Sequence, residues 1–166
     1  SVPGVTPARL RLAAAFLLPS RGIPQLTWGD EIGLPGGLDD RRDFPGGFPG
    51  DPRDAFTQAG RTPDEERLFQ TFRTLLHLRK TEPALRRGRQ TTLFVSDDVY
   101  VFGREHEGST VVVAINRGAK PATLKLPAEW SGPAVVLHGE ARWTPRPDGA
   151  DLEIAPESAA VLGYAR

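Results

Sequence analysis

The spacing of hydrophobic residues changes near residue 88, from helical periods before it to short, turn-bounded apolar runs after it. A first helix is predicted from about Pro7 to Leu18, because Thr6 is a suitable N-cap and Pro7 suits the first helical position. Every residue from 12 to 18 is apolar. A helix that is apolar all round is expected to be buried on several sides. We therefore expect this helix to need more protein than the chain supplies.

A second helix has the clearest start signal in the chain. Residues 62–65 read Thr-Pro-Asp-Glu, a capping box with proline in its first turn. Apolar residues then recur on one face, at Leu68, Phe69, Phe72, Leu75 and Leu76. This helix is expected to end near Lys80, before Pro83.

Two different segments separate these helices. Ile23–Trp28 is predicted as a short strand that Gly22 opens. The run from Gly29 to Gly60 has almost no periodicity, carries dense mixed charge and contains three phenylalanines. Loops beyond about 15 residues are usually functional or disordered. Since phenylalanine side chains can anchor such a loop, we predict an ordered, functional one.

The part of the chain after residue 88 predicts an all-β fold. Its apolar runs are short, and Asp97-Asp98 and Glu107-Gly108 stand where hairpin turns are expected. The predicted strands are Thr91–Val95, Val99–Arg104, Thr110–Asn116, Ala122–Leu126, Ala134–His138, Arg142–Thr144, Asp151–Ile154 and Ala159–Tyr164. This spacing indicates a small antiparallel sandwich of about 80 residues.

Charge and composition exclude several kinds of partner. Lys+Arg and Asp+Glu each number 21, so the net charge is zero, which argues against a nucleic-acid or membrane-surface partner. No apolar run is long enough to span a bilayer. The first nine residues do not have the form of a signal peptide. The absence of cysteine leaves the compartment open, with a cytoplasmic location favoured over secretion.

No cofactor and no metal site are predicted. The sequence has no P-loop, no G-x-G-x-x-G after a strand and no Ser/His/Asp constellation. Asp39, Asp40 and Asp43 are close together, but their spacing is not that of an EF-hand. The intervening Arg41 and Arg42 would repel a cation.

Three stretches resemble the α-amylase superfamily (glycoside hydrolase family 13). Residues 22–31, Gly-Ile-Pro-Gln-Leu-Thr-Trp-Gly-Asp-Glu, resemble its G-x-P-x-x-Y-x-G-x-E segment, which forms the eighth barrel strand and the start of the next loop. Residues 40–48, Asp-Arg-Arg-Asp-Phe-Pro-Gly-Gly-Phe, resemble the cyclomaltodextrinase and neopullulanase group. Residues 61–88 are similar to the last barrel helix and its exit. Two positions depart from the pattern: Thr27 replaces an aromatic residue, and Gly37 replaces the first aspartate of D-P-D-N-R.

The resemblance implies a fold in two parts. Residues 1–87 would be the C-terminal end of a (β/α)8 barrel, an α/β remnant comprising a helix, strand 8, a long loop and helix 8. Residues 88–166 would be the amylase-type antiparallel β-sandwich domain. In the family, the nucleophile Asp, the acid/base Glu and the transition-state-stabilising Asp lie on the fourth, fifth and seventh strands, before the position that matches Ser1. The resemblance therefore implies no catalytic residue in this chain.

Four residues are candidates for substrate binding. Trp28 is a candidate for stacking on a glucose ring, although packing at the barrel end is favoured for an isolated strand aromatic. Glu31 would either hold the floor of an active site by hydrogen bonds or satisfy backbone amides of its own loop. Asp39 and Arg41 are candidates for sugar hydroxyls. The alternative, which Gly37 favours, is a salt-bridged cluster that stiffens the loop.

Three functions remain open on this basis. The first is a fragment of an α-glucan-active glycosidase, inactive alone, that meets α-glucan or maltooligosaccharide only as part of the complete enzyme. The second is a carbohydrate-binding module that uses Trp130 and Trp143. The third is an assembly domain without sugar contact, which the apolar helix supports. An unpaired strand at 23–28 would also lead us to expect association with the rest of the barrel or with a second copy.

Overall fold

The computed structural model describes residues 5–36 and 42–164. Within these ranges three α-helices precede eight β-strands. The helices are α1 (Pro7–Leu17), α2 (Pro63–Thr81) and α3 (Pro83–Arg87), with short 3-10 turns at Asp30–Ile32, Gln58–Gly60 and Ala128–Trp130. The strands are β1 (Arg89–Val95), β2 (Val99–His106), β3 (Ser109–Asn116), β4 (Ala122–Leu126), β5 (Ala134–Gly139), β6 (Ala141–Arg146), β7 (Gly149–Ile154) and β8 (Ser158–Tyr164).

Side-chain caps explain where the two long helices begin. The Thr6 hydroxyl accepts a hydrogen bond from the Arg9 amide at 3.2 Å. At the start of α2, Thr62 and Glu65 satisfy each other's backbone amides, at 3.3 and 2.8 Å. The predicted capping box is therefore confirmed, and both helices end within one residue of the predicted position.

The eight strands form two antiparallel sheets. The larger sheet has the strand order β1-β2-β3-β8-β5, and the smaller has the order β4-β7-β6. The register of β1 shifts between Thr92 and Phe94, and that of β5 shifts between Val136 and His138. All eight predicted strands are found, and the predicted antiparallel sandwich is confirmed.

The larger sheet is covered on both faces. Along β3, Val111 and Val113 face the helices, whereas Val112 and Ala114 face the smaller sheet, as the twofold alternation of a strand requires. All four are completely buried. The helices before residue 88 and the larger sheet therefore share one hydrophobic core, and a second core lies between the sheets.

Helix α1 is only partly buried in this arrangement. Leu12, Ala14 and Ala15 pack into the core with α2 and the larger sheet. Phe16 and Leu17 remain 49% and 38% exposed. The expectation that an apolar helix is buried on several sides is thus met on one side only. Every helix in the described residues is too short or too polar to cross a membrane.

The prediction of a strand at Ile23–Trp28 is wrong. Residues 23–27 are irregular and Trp28 begins a turn. Ile23 is 97% exposed, and within residues 5–36 and 42–164 this segment pairs with no strand. A strand is stable only when its backbone groups find partners at its edges. The apolar residues of the segment indicated a strand, but the neighbours that would pair with it are missing from the described fold.

Candidate functional site

A groove of about 360 Å³ lies between α2 and the segment that leads into the Asp30–Ile32 turn. Its lining residues are Leu26, Thr27, Trp28, Asp30, Glu31, Phe69, Phe72, Arg73 and Leu76. Two of the four predicted site residues, Trp28 and Glu31, thus meet at one surface. Asp39 and Arg41 lie outside the described residues.

Trp28 offers a fixed but accessible ring. Its side chain is 50% exposed, and the indole Nε1 donates a hydrogen bond to the carbonyl of Arg42 at 3.2 Å. That bond ties the edge of the ring to the backbone of the long loop. Half of the residue is accessible to solvent, so packing against the described residues covers only part of its surface.

The carboxylates of Asp30 and Glu31 hold the turn that carries them. Glu31 Oε2 accepts a hydrogen bond from the Gly29 amide at 2.9 Å, and Asp30 Oδ2 accepts one from the Thr27 amide at 2.8 Å. Gly29 has φ of 89°, and a Cβ at this position would lie 2.7 Å from that of Leu34. A carboxylate has about four acceptor positions, so each side chain retains capacity for a ligand hydroxyl.

Helix α2 supplies the opposite wall, which the sequence analysis did not assign to a site. Phe69, Phe72, Arg73 and Leu76 are spaced at i, i+3, i+4 and i+7, so they occupy one face of the helix. The sequence signal for this wall was the helical spacing of apolar residues along α2. The periodicity predicts one apolar face of the helix, and Leu76 on that face is 41% exposed.

The described part of the long loop, residues 42–60, is ordered by charged side chains. Arg53 forms a bidentate pair with Glu65, with both N–O distances 2.7 Å, and also donates to the carbonyl of Gly60 at 2.8 Å. The Asp51 carboxylate accepts from the amides of Gly46 and Phe48, at 2.7 and 3.1 Å. The Arg53–Glu65 pair fastens the loop to the start of α2, and the Asp51 bonds hold a turn within the loop.

Arg61 provides a second attachment of this loop. It pairs with Glu66 at 2.6 Å, donates to the carbonyl of Ala55 at 2.9 Å and lies 3.9 Å above the Phe69 ring. Phe44 and Phe56 stack with centroids 4.5 Å apart, yet Phe56 stays 64% exposed. Arginine contacts, more than buried phenylalanines, therefore anchor the loop.

The environment of Glu65 has opposing effects on its acidity. Burial acts to raise the pKa of Glu65, but hydrogen bonds from Arg53 and from the Thr62 amide outweigh it. The pKa is therefore held below its usual value. The group that caps α2 and anchors the loop is thus an ionised carboxylate well below neutral pH.

Trp130 and Trp143 do not form a sugar-binding surface. Trp130 is 2% exposed, and its ring packs on Tyr164 in the core between the sheets. Trp143 is partly buried, packs on the same tyrosine and donates its Nε1 hydrogen to the carbonyl of Gly132 at 2.9 Å. The two exposed tryptophans that would have favoured a carbohydrate-binding module are therefore absent from the sandwich.

Comparison with known proteins places the chain in a family. Residues 88–161 match the model of the "Alpha-amylase C-terminal domain". The chain is 30% identical over 118 residues to the cyclomaltodextrin glucanotransferase of Geobacillus stearothermophilus, over 71% of this chain and 15% of that protein. It is 27% identical over 119 residues to the cyclomaltodextrinase of Thermoanaerobacter pseudethanolicus, over 72% of this chain and 19% of that protein.

A solved structure extends the similarity across the helices. The α-amylase of Geobacillus thermoleovorans, solved in complex with acarbose, matches with a TM-score of 0.77 and 25% identity, over 97% of this chain and 34% of that one. The chain thus spans less than a fifth of the curated relatives described above. Its β-sandwich is homologous to the C-terminal domain of enzymes that act on α-glucans. The chain therefore belongs to the α-amylase superfamily, and residues 88–161 are an α-amylase C-terminal domain.

Proposed function

We propose that this chain is the C-terminal part of an α-glucan-active glycoside hydrolase. In this proposal residues 1–87 complete a (β/α)8 barrel and residues 88–166 are the C-terminal sandwich. The complete enzyme would hydrolyse or transfer α-1,4 or α-1,6 glucosidic bonds with retention. The support is the family match of residues 88–161, together with a likeness to an α-amylase that includes the helices and covers 34% of that protein.

The chain alone is proposed to be inactive. A retaining glycosidase needs two carboxyl groups about 5 Å apart that flank the scissile bond. Asp30 and Glu31 are consecutive in sequence, and each binds a backbone amide of its own turn. Their arrangement suits holding a turn, and the family's catalytic residues belong to earlier barrel strands.

The groove is proposed to contribute a non-catalytic sugar contact. The observation that carries this proposal is the half-exposed indole of Trp28, held at one edge and lying in the same groove as two carboxylates. A pyranose presents an apolar face to an aromatic ring and hydroxyl groups to charged acceptors. Asp39 and Arg41, on the loop that follows, are proposed as further contacts.

Leu26 and Leu76 in the wall of this groove, together with Ile23, are proposed to contact the remaining part of the barrel. Ile23 is 97% exposed, Leu76 41% and Leu26 38%. Leu26 and Leu76 share the groove, Ile23 lies three residues before Leu26, and exposed apolar residues of this kind are typical of an interaction surface. When the chain is studied alone, we expect a second copy to cover these residues.

Turnover and binding test this proposal separately. The chain is incubated with maltoheptaose and with β-cyclodextrin, and released reducing ends are measured against a cyclomaltodextrinase as the positive control. We expect no turnover, and calorimetric binding of maltoheptaose at millimolar concentration that the Trp28→Ala variant loses. Sustained hydrolysis by the chain would refute the first part, and equal affinity of the variant would refute the second.

A further inference from the structure

The turn at residues 18–22, directly after α1, is held by side chains from other parts of the fold. Arg79 of α2 donates hydrogen bonds to the carbonyls of Leu18 and Ser20, at 2.6 and 3.0 Å, and also to that of Gly22. Carbonyls at the end of a helix have no partner within the helix. A guanidinium group with several donors is suited to bind a cluster of them.

Arg104 reaches the same turn from the sandwich. It lies on β2, is completely buried and donates to the carbonyl of Pro19, which precedes it by 85 residues. Its other terminal nitrogen donates to the carbonyl of Gly88 at 3.0 Å. One side chain therefore connects the end of α1, the end of α3 and the larger sheet.

A second residue of the sandwich also contacts the turn. The side-chain oxygen of Gln90, on β1, accepts a hydrogen bond from the Arg21 amide at 2.8 Å. The turn thus receives a donor and an acceptor from two adjacent strands. Its shape depends on the sandwich as well as on the residues of the turn itself.

Burying the charged side chain of Arg104 costs free energy of folding. Burial lowers its pKa to about 10, and the positive charges of Arg79 and Arg21 act in the same direction. Among the described residues, its Nε has no hydrogen-bond partner. Apolar residues of similar volume often replace buried charges without loss of stability. A buried cation at this junction is thus better explained by the geometry that it imposes than by stability.

We propose that Arg104 is a positioning residue, through which the sandwich fixes the 18–22 turn and the path of residues 23–28 towards the groove. Trp28 comes six residues after the end of that turn. The effect on sugar binding rests on the proposed function of the groove. The effect on the turn does not depend on it.

Hydrogen exchange measured by mass spectrometry tests the proposal on the whole chain. In Arg104→Met, peptides covering residues 18–30 should exchange roughly tenfold faster or more, because hydrogen bonds to a charged group are lost. Arg104→Lys keeps the charge and can serve one carbonyl, so it should show a smaller increase. Arg117→Met is the matched control, since Arg117 donates to the carbonyl of Asp97 within the sandwich.

Two results would overturn the proposal. One is unchanged exchange at residues 18–30 in both Arg104 variants. The other is an equal increase in all strands, which would mean that Arg104 only stabilises the fold. If Arg104→Met does not fold, Arg104→Lys decides the question: faster exchange confined to residues 18–30 supports the proposal, and equally faster exchange in all strands overturns it.

Sugar affinity is a second measurement. The affinity for maltoheptaose should fall several-fold in the Arg104 variants. A wild-type chain that binds no sugar would count against the proposed function of the groove but would leave the exchange result valid.

Discussion

The ring of Trp130 packs against that of Tyr164, with centroids 5.0 Å apart and an angle of 51° between the ring planes. Trp143 contacts the same tyrosine, with centroids 5.7 Å apart. The Tyr164 hydroxyl in turn donates to the carbonyl of Glu129 at 3.0 Å. Two of the three tryptophans in the chain are thus used to build the sandwich, which leaves Trp28 as the tryptophan with a large accessible surface.

Replacing Trp143 separates a structural role from a binding role. Trp143→Phe keeps an aromatic ring beside Tyr164 but removes the hydrogen bond to the carbonyl of Gly132. We expect the free energy of unfolding, measured in urea, to fall by about 1 kcal/mol. Affinity for maltoheptaose should stay at the wild-type value. A loss of affinity without a loss of stability would show that the sandwich binds sugar through this residue.

The stability of the chain should depend on the ionisation of Glu65. Its pKa in the folded state lies below the usual value of about 4.3 for an unfolded chain. A carboxyl group whose pKa is lower in the folded state than in the unfolded chain stabilises the fold when the pH is above the pKa of the unfolded chain. This contribution is lost as the pH falls through the pKa of the folded state. Thermal unfolding between pH 7 and pH 3 should therefore show a decline that begins near pH 4.5.

Glu65→Gln tests the same residue at neutral pH. The glutamine can still accept from the Thr62 amide but loses the charge that pairs with Arg53. We expect a loss of about 1–2 kcal/mol and a weaker decline with pH. Arg67→Met is a suitable control, because the Arg67–Asp64 pair is more than half exposed on both sides and such pairs contribute little. A larger loss in the control would contradict this account of the loop.

The exposed apolar surface should cause self-association. We expect light scattering to show a concentration-dependent mass above that of the 18.0 kDa monomer. Ile23→Glu, or Leu76→Glu on α2, should shift the chain towards the monomer, since each places a charge in the proposed contact. Val95→Glu, at a residue that is 67% exposed on β1, is the control and should leave the mass unchanged. A monomeric wild-type chain at high concentration would contradict the expectation.

The sequence was sufficient for the elements whose partners are close along the chain. The capping box at residues 62–65 and the hairpins β1–β2 and β2–β3 depend on local turns and on alternation, so the pattern alone located them. The segment at 23–28 carries the same kind of signal but forms no strand. Strand formation depends on neighbouring backbone, which a local pattern does not report.

The candidate site was predictable only in part for a similar reason. Trp28 and Glu31 were identified by a sequence motif, and both line the groove. The contribution of Phe69 and Arg73 depends on the packing of α2 against a loop about 40 residues earlier in the chain. Arg104 is the last residue of the predicted strand Val99–Arg104, and nothing in its sequence neighbourhood indicates that it would bind the carbonyl of Pro19.

The central claim is that Trp28 contacts α-glucan in a groove that performs no catalysis, and tryptophan fluorescence tests it most directly. Trp143→Phe removes one of the two core tryptophans from the signal, and the emission of this variant is recorded during titration with maltoheptaose. We predict a saturable change that reports Trp28 and that disappears when Trp28→Phe is added. Calorimetry on this double variant should give an affinity weaker by about fivefold or more. An identical titration curve with and without Trp28 would contradict the claim.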